Sequence, residues 1–401
     1  MRFTWNFFSA AQLTYGPGSI RQLGQLVADR GIARAFIVSD RHLAAAGIIK
    51  KTVESLESAQ VVTHVFDGGQ AEPELSIAQA ASAAARDFGP DAILGLGGGS
   101  NMDLAKLTAV LTTHGGEPQQ YFGFDNVPGP VLPLICIPTT AGTGSEVSHA
   151  AVVTDTASNI KVSTLSRHLR PTLALVDPTL TYTCPQQVAA DSGIDALTHA
   201  IEGYTATDYR ELNVPEGEAA AYDGSHPLGD VLAEKAIKLI GEHLVAAVKE
   251  PENHAAKDAM ALAATLAGLA FSNCGVALVH ALEYPIGAAV HCSHGAGNGM
   301  LLPYVMRYNM PQREAKFAKI AELLGADTRG LSQSEAAAFA VEQVIQLRSD
   351  IGIPHRIRDF GECQDQLGVF ASKAFAIKRL MDVNPRRPTE ADLLALLEEA
   401  Y

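Results

Sequence analysis

The residues best suited to chemistry are an aspartate and three histidines in the second half of the chain. Asp195 and His199 are four positions apart, so on a helix their side chains share one face. Taken alone, that pair slightly favours an ordinary surface hydrogen bond. His280 and His294 follow in a short segment that carries three of the 13 histidines. One carboxylate oxygen and up to three imidazole nitrogens suit Zn²⁺ or Fe²⁺ and leave room for a substrate oxygen, without choosing between the two ions.

A glycine-rich loop in the first half has the composition of a phosphate-binding site. Residues 92–96 have the apolar pattern of a strand, which leads into Gly97, Gly98, Gly99 and Ser100. A helix is predicted over 102–113, so the loop would offer bare backbone N–H groups and a helix N-terminus to an anion. Glycines also serve tight turns, so this motif alone is a weak signal for a nucleotide.

Two further segments strengthen the case for a nucleotide site. Asp40 ends the predicted strand over 35–39, at the sheet edge where α/β proteins bind ligands, and its carboxylate could pair with ribose hydroxyls. The loop 138–146 follows another strand and offers small residues and the hydroxyls of Thr139, Thr140 and Thr143. Its alternative interpretation is a simple Thr/Gly-rich turn. A standard Rossmann topology is not supported, because its acidic residue follows the glycines by about 20 positions, whereas Asp40 precedes them.

The elements that position these residues fall into two halves. Short apolar runs alternate with Ala-rich stretches in the first half, which predicts α/β layers, with strands at 35–39, 61–66, 92–96, 132–137 and 173–176. From residue 185 onward the chain is a series of Ala/Leu-rich helical segments. The sequence therefore predicts an α/β dinucleotide-binding domain with a parallel sheet over 1–185, and an all-helical metal-binding domain over 186–401. The longest interruption of the helical pattern is the polar segment 205–227.

Charge and composition narrow the partners. The 44 acidic and 30 basic residues give a formal charge of -14, and no dense Lys/Arg run is present, which favours small-molecule partners over nucleic acid or an anionic membrane. Five scattered cysteines without a CxxC pair, and an N-terminus without a signal-peptide pattern, predict a cytoplasmic protein.

The uncharged segment between Asp258 and Glu283 is long enough to cross a bilayer, but its Ala, Gly and polar residues favour one helix buried in the helical core, with His280 at its end.

Several motifs, in order, resemble one known family. GGGSNMDLAK at 97–106, PTTAGTGSEV at 138–147, DSGIDALTHAIE at 191–202 and the spaced His280 and His294 are similar to those of the iron-containing (group III) alcohol dehydrogenases. The resemblance covers essentially the whole chain. It implies the dehydroquinate-synthase-like architecture of that family, in which a divalent metal and the nicotinamide of NAD meet in the cleft between an α/β domain and a helical domain. It also implies a homodimer or larger homo-oligomer.

The resemblance also implies roles for single residues. Asp195, His199, His280 and His294 fall on the four metal-ligand positions. The pyrophosphate of the cofactor is expected at Gly98, Gly99 and Ser100, and the rest of the cofactor near Gly97, Asp103, Thr139, Thr140, Thr143 and Lys161. Asp40 occupies the position whose carboxylate is associated with NAD rather than NADP, which agrees with its repulsion of a 2′-phosphate.

Two departures from the family pattern affect the expected chemistry. Tyr284 stands where many members carry a second histidine thought to move the proton, and an unperturbed tyrosine, with a pKa near about 10, is a poorer acceptor. The proton relay is then left to the cofactor ribose and water, or to His291. The second departure is the long segment 205–227. Its end, AYDGSHPLGD at 221–230, together with HALEYPI at 280–286, looks more like the hydroxyacid-oxoacid transhydrogenase branch, and Arg210 in this segment could pair with a substrate carboxylate. A solvated surface arginine is the alternative.

The expected reaction is the NAD- and Fe²⁺- or Zn²⁺-dependent interconversion of a primary alcohol and its aldehyde by hydride transfer, with an ω-hydroxy acid such as 4-hydroxybutyrate as one candidate substrate. The nearest rival is a transhydrogenase that keeps NAD bound. A dehydroquinate-synthase-like lyase would need more basic phosphate-binding residues near the metal than the sequence offers. A non-catalytic metal- and nucleotide-binding protein is the last alternative.

Overall fold

The computed structural model describes residues 2–155, 160–215 and 218–401 and divides them into two units. The α/β unit is Ser9–Cys184, and the helical unit is Pro185–Tyr401 together with the described residues before Ser9. These first residues were expected in the α/β domain. They belong to the helical unit because Asn6 N donates to Asp223 Oδ2 (3.1 Å) and Phe8 N donates to Asn273 Oδ1 (2.7 Å).

The α/β unit is built on a parallel sheet, as the sequence predicts. The sheet has six strands, and the edge strand at 12–15 was not among the five predicted. Its strands lie in the order β1-β9-β6-β4-β2-β3. In chain order they are β1 (Gln12–Tyr15), β2 (Arg34–Val38), β3 (Val62–Phe66), β4 (Ala92–Gly97), β6 (Leu134–Pro138) and β9 (Leu173–Val176). The chain reverses its direction of winding after β3, so the carboxyl ends of the neighbouring strands β2 and β4 flank a switch point, where such sheets bind ligands.

The central strands are buried on both faces, which explains their nearly continuous apolar runs. In β2, Ala35 and Ile37 belong to one apolar cluster, and Phe36 and Val38 belong to a second one. The helices that cover the sheet are α1 (Leu23–Ala28), α2 (Arg41–Ala45), α3 (Ile48–Ser58), α4 (Leu75–Phe88) and α5 (Gly99–His114).

A second, three-stranded sheet was not expected from the sequence. It is formed by β5 (Gly123–Phe124), β7 (Ala150–Asp155) and β8 (Ile160–Leu165), in the order β5-β8-β7. β7 and β8 are antiparallel, and the residues of β7 alternate between buried and partly exposed positions, unlike those of the fully buried strands β4 and β6.

The helical unit has ten α-helices among its described residues. They are α6 (Gln186–Thr205), α7 (Pro227–Lys249), α8 (His254–Cys274), α9 (Leu278–Val290), α10 (His294–Asn309), α11 (Glu314–Leu323), α12 (Gln333–Asp350), α13 (Leu367–Phe375), α14 (Lys378–Val383) and α15 (Glu390–Ala400). α6 packs against α7, α8 and α10, and small residues permit the close approach: a Cβ on Gly203 would lie 3.4 Å from the Phe271 backbone.

The uncharged segment between Asp258 and Glu283 is two helices rather than the single helix predicted. α8 ends at Cys274 because Gly275 has φ +108°, a conformation that side chains rarely adopt, and α9 begins three residues later. His280 therefore lies in the first turn of α9 and not at the end of a long helix. Within the described residues no single helix is long and apolar enough to span a bilayer, and α8 and α9 meet that requirement only as a pair bent by 104°.

Candidate functional site

α6 carries the first two predicted metal ligands on one buried face. Asp195 and His199 are 2% and 4% exposed, and His199 Nε2 lies 3.8 Å from Asp195 Oδ1. The His199 ring stacks on Phe271 of α8, with centroids 4.2 Å apart, and on His280, with centroids 4.9 Å apart. The i,i+4 spacing on a helix therefore produces the shared face that the sequence predicts.

A buried glutamate on α6 fixes the third predicted ligand, His280. Glu202 accepts hydrogen bonds from the backbone N–H groups of Ala277 (2.9 Å) and Val279 (2.7 Å), at the start of α9. His280 Nδ1 lies 2.6 Å from Glu202 Oε2. A histidine that donates from Nδ1 to this carboxylate keeps the Nε2 lone pair for a metal ion.

His294 is the first residue of α10, and its surroundings fix both the helix start and the ring. Ser293 is the N-cap residue and donates from Oγ to Asp191 Oδ2 on α6 (2.6 Å). Burial raises the pKa of Asp191, and the hydrogen bonds from Ser293 and Gln187 oppose that shift. His294 Nδ1 lies 2.5 Å from Glu283 Oε2, the same arrangement as His280 has with its glutamate.

Two glycines on α10 bring that helix against α6. A Cβ on Gly295 would overlap the carbonyl oxygen of Asp191 and lie 2.6 Å from its carbonyl carbon. One helical turn later, a Cβ on Gly299 would lie 2.7 Å from both Cγ1 and Cγ2 of Ile194. His294 reaches Asp195 because α10 lies this close to α6.

Three of the four predicted ligands converge. Ligand atoms of Asp195, His280 and His294 all lie within 4.8 Å of one another. Asn298 Nδ2 donates to Asp195 Oδ1 (2.8 Å) and lies 3.2 Å from Nε2 of both histidines, while its own buried Oδ1 has no hydrogen-bond partner among the described residues. Three acceptors directed at one point, with N/O chemistry, fit a divalent cation. His199 lies beside this group, and its role as fourth ligand stays a prediction.

The charge at Asp195 suits a cation. Burial of the carboxyl group acts to raise its pKa, but His199, His294 and His280 outweigh that effect, so the pKa of Asp195 lies below its usual value. The carboxylate is therefore ionised at neutral pH and available as a ligand.

Of the predicted relay and substrate residues, Tyr284 lies near one of the converging ligands. The Tyr284 ring is 5.9 Å from the His294 ring, centroid to centroid. His291 is exposed and ends α9 with φ +52°. Arg210 is exposed, its Nε donates to Tyr209 Oη (3.1 Å), and its guanidinium lies over the Tyr209 ring. These contacts give no support to a substrate role for Arg210, which stays a prediction, as do the roles of Tyr284 and His291.

In the α/β unit, the glycine loop follows β4 and leaves the start of α5 open. Gly98 is the N-cap residue of α5, and no described side chain accepts a hydrogen bond from the first turn. A Cβ on Gly98 would lie 3.5 Å from Thr140, and one on Gly99 would lie 2.7 Å from Thr143 Cγ2. Thr139 N donates to Gly97 O (3.0 Å). Both predicted loops therefore face each other, and the uncapped N–H groups fit a bound phosphate.

Asp40 lies at the carboxyl end of β2 and is tied to the glycine loop. Its Oδ1 accepts from the backbone N–H groups of His42 (2.8 Å) and Leu43 (3.0 Å), which caps α2. Its Oδ2 accepts from Asn101 Nδ2 (2.6 Å) in the first turns of α5. Gly97 has φ +145°, and a Cβ there would overlap the Asn101 amide. The carboxylate is thus oriented beside the loop, as a ribose-binding group would need to be.

Asp103 and Lys161 occupy charged networks in the same unit. Asp103 accepts from Ser145 Oγ (2.6 Å) and from Val152 N (3.0 Å), next to the fully buried Lys106, and burial raises its pKa. Lys106 Nζ donates to the Ser145 carbonyl (2.8 Å), which links α5 to the loop 138–146. Lys161 on β8 pairs with Glu72 (2.7 Å). Glu72 N donates to Ser100 Oγ (3.3 Å), so Lys161 is linked to the glycine loop.

Sequence reasoning did not identify Glu202, Glu283, Asn298 or Asn101. Each acts through a hydrogen bond to a predicted site residue, and none forms a motif by itself. The available signal was position: Glu202 and Glu283 each lie three residues after a predicted ligand histidine, and a carboxylate buried there requires a partner.

Comparison with known proteins identifies the family. Residues 10–178 match the iron-containing alcohol dehydrogenase family, and residues 218–401 match the C-terminal part of the Fe-containing alcohol dehydrogenase family. The chain therefore belongs to the iron-containing alcohol dehydrogenases, and it is an oxidoreductase of the class that acts on CH–OH donors.

Individual relatives match over nearly their whole length. The chain is 36% identical to the long-chain-alcohol dehydrogenase 1 of Geobacillus thermodenitrificans, with 98% of this chain and 97% of that protein covered. It is 32% identical to the NAD-dependent methanol dehydrogenase of Bacillus methanolicus, with 98% and 99% covered. The crystal structure of a 1,3-propanediol oxidoreductase has a TM-score of 0.93 at 33% identity and covers 100% of both chains. These matches confirm the predicted fold class.

Proposed function

We propose that the protein is an NAD- and divalent-metal-dependent alcohol dehydrogenase, or aldehyde reductase, for a primary alcohol and its aldehyde. The observation that carries the proposal is the convergence of acceptor atoms from Asp195, His280 and His294 in a chain of this family. The NAD dependence of a relative such as the Bacillus methanolicus enzyme supports the choice of cofactor.

The residues of each unit have distinct tasks in this reaction. When bound, the divalent ion supplies polarisation of the substrate oxygen and NAD supplies the hydride acceptor. Asp195, His280 and His294, with His199 as the proposed fourth ligand, hold the ion. The N–H groups at the start of α5 hold the pyrophosphate, and Asp40 accepts hydrogen bonds from the ribose and disfavours a 2′-phosphate.

The proton of the alcohol needs an acceptor other than the tyrosine. Tyr284 lies beside His294, but an ordinary tyrosine hydroxyl is a weak base at neutral pH. The exposed imidazole of His291 could carry the proton to water, and bound NAD would offer its ribose hydroxyls as the other route. A His291→Ala enzyme that loses turnover near neutral pH and recovers it in high concentrations of imidazole buffer would place the relay at His291, and an unchanged rate would leave the ribose route.

The substrate is proposed to be an ω-hydroxy acid such as 4-hydroxybutyrate, with Arg210 pairing with its carboxylate. The test is NADH formation by metal-loaded enzyme with butan-1-ol against 4-hydroxybutyrate, and with NAD against NADP. Preference for 4-hydroxybutyrate that is lost in Arg210→Ala, but kept in the matched exposed-arginine variant Arg329→Ala, would support both the substrate and the residue. Preference for butan-1-ol would remove Arg210 from the site and leave the alcohol dehydrogenase assignment.

The same assay separates the transhydrogenase alternative. An enzyme that forms no NADH from either alcohol, but oxidises 4-hydroxybutyrate once 2-oxoglutarate is added, keeps its NAD and transfers hydride between two substrates. No turnover with any alcohol or aldehyde at saturating metal and NAD would overturn the proposed function altogether.

Self-association is also part of the proposal. β1 is an edge strand of the six-stranded sheet, and its Leu13 and Tyr15 side chains are 40% and 37% exposed. An open strand edge with apolar side chains is a common site of pairing between copies. Light scattering on the parent and on a Leu13→Lys/Tyr15→Lys variant tests it. A homodimer that the double variant dissociates is expected, and a monomeric parent would contradict it.

A further inference from the structure

Glu283 is a buried charged residue that the predicted ligand set does not use. It lies on α9, three residues after His280, and is fully buried. An ionised carboxylate in that position is costly unless a charged or hydrogen-bonding partner stabilises it. The partner is His294, whose Nδ1 lies 2.5 Å from Glu283 Oε2.

The opposing helix makes room for this glutamate. A Cβ on Gly297 of α10 would lie 2.8 Å from Glu283 Cγ and 3.4 Å from its Oε1. Glycine within a helix costs stability relative to alanine, so Gly297 is unfavourable for α10 itself. Its position is explained by the space that Glu283 needs to reach His294.

The two histidines outside α6 are held in the same way. Glu202 contacts His280 Nδ1, and Glu283 contacts His294 Nδ1, so both Nε2 atoms remain acceptors and both lie 3.2 Å from Asn298 Nδ2. Glu202 also caps the start of α9 through two backbone N–H groups, so its removal would disturb the helix itself. Glu283 therefore offers the cleaner test of what a carboxylate does for a ligand histidine.

We propose that Glu283 is a positioning residue of the metal centre, an inference that rests on the proposed function. It holds the His294 proton on Nδ1 and directs the Nε2 lone pair toward the ion. It also places a third buried carboxylate near the ion, with Asp195 and Glu202, which strengthens retention of a divalent cation.

The test measures metal affinity rather than turnover. Zn²⁺ dissociation constants are obtained by competition with a chromophoric chelator, and the visible ligand-field spectrum of the Co²⁺-loaded protein reports ligand geometry. Glu283→Ala is expected to weaken Zn²⁺ binding by about 10- to 100-fold and to change the Co²⁺ spectrum. Glu283→Gln keeps an acceptor for Nδ1 without the charge, so it should lose less affinity and keep the parent spectrum.

Gly297→Ala perturbs the contact while leaving Glu283 and His294 chemically intact. It should reproduce the affinity loss of Glu283→Ala, whereas Glu322→Gln, an exposed glutamate on α11, should bind Zn²⁺ like the parent. Melting of each metal-free variant separates positioning from folding, because a purely structural role would lower the melting temperature and leave the affinity of folded protein unchanged. If Glu283→Ala does not fold, Glu283→Gln and Gly297→Ala decide the question.

The outcomes also separate this inference from the proposed function. Zn²⁺ affinity and Co²⁺ spectra that match the parent in Glu283→Gln, Glu283→Ala and Gly297→Ala would overturn the role of Glu283 alone. A parent that binds Zn²⁺ tightly but oxidises no alcohol would overturn the proposed function and leave the role of Glu283 intact. A parent that binds no divalent ion would overturn both.

Discussion

The metal centre of the helical unit and the nucleotide loops of the α/β unit are built from different parts of the polypeptide. The metal centre is formed by side-chain atoms with lone pairs. Buried carboxylates orient the histidine rings, as Glu202 orients His280. The nucleotide loops offer backbone N–H groups at the start of α5, and glycines keep the space in front of them open. The metal centre depends on side-chain atoms that are present, whereas the nucleotide loops depend on the absence of side chains at the glycines.

This difference predicts two kinds of failure. Removing one donor from the metal centre leaves a cation with too few ligands, so the loss is abrupt. Adding a methyl group to a loop glycine crowds a side chain that can move, so the loss is graded. The four predictions that follow run from the abrupt end to the graded end.

Metal removal should have the largest effect. Dialysis against a chelator is expected to lower alcohol oxidation by more than about a thousandfold, because no side chain replaces the ion in polarising the substrate oxygen. NADH binding, measured by fluorescence, should persist, because the residues proposed for it belong to the α/β unit. Adding back Zn²⁺ or Fe²⁺ to the same sample is the control. Full turnover in protein shown by elemental analysis to hold no metal would contradict the need for a divalent ion.

Gly295→Ala should be the next most damaging change. The added Cβ would overlap backbone atoms of Asp191, which cannot rotate away as a side chain can, so α10 must move from α6 and take His294 with it. We expect a loss of about 1–3 kcal/mol in the free energy of unfolding, with reduced metal content as isolated.

The matched control for that change is Gly368→Ala. Gly368 lies on α13, and a Cβ there meets no atom within 4 Å, so alanine should leave stability unchanged or raise it slightly through its helix propensity. Denaturant unfolding of both variants compares them directly. Equal stabilities for Gly295→Ala and Gly368→Ala would show that the α6–α10 contact yields more easily than its geometry indicates.

The sequence predicted different parts of the metal centre and of the nucleotide loops. Asp195, His280 and His294 follow from spacing and from resemblance, because ligand types are few and helical periodicity is regular. Glu283 and Glu202 were not found, because their hydrogen bonds join residues 11 and 78 positions apart on different helices. In the α/β unit the strand pattern located Asp40 and the glycines, while the second sheet, which carries Lys161 and whose strand β7 is only half-buried, was missed.

Asp40→Ser tests the choice between NAD and NADP, and its expected effect is smaller than that of Gly295→Ala. Serine keeps an N-cap acceptor for α2 and removes the negative charge, and Asn101, which loses its bond to Asp40, keeps its hydrogen bond to the Leu96 carbonyl, so folding should be little changed. We expect kcat/KM for NAD to fall roughly tenfold as charged hydrogen bonds to the ribose are lost, and kcat/KM for NADP to rise. Asp67→Ser, which removes a nearby half-exposed carboxylate that pairs with Arg41, is the control. The same NAD/NADP ratio in both variants would exclude Asp40 as the selecting group.

Gly99→Ala should have the smallest effect, a partial loss of NAD binding. The new Cβ would lie 2.7 Å from Thr143 Cγ2, a side-chain atom that can move, so KM for NAD should rise by about three- to tenfold while kcat and metal content stay constant. Thr143→Ser removes that methyl group, so the double variant should recover part of the loss, and the double-mutant cycle isolates this contact. Additive losses would mean that the alanine acts on the bound pyrophosphate directly. A fall in metal content would contradict the separation of the two sites.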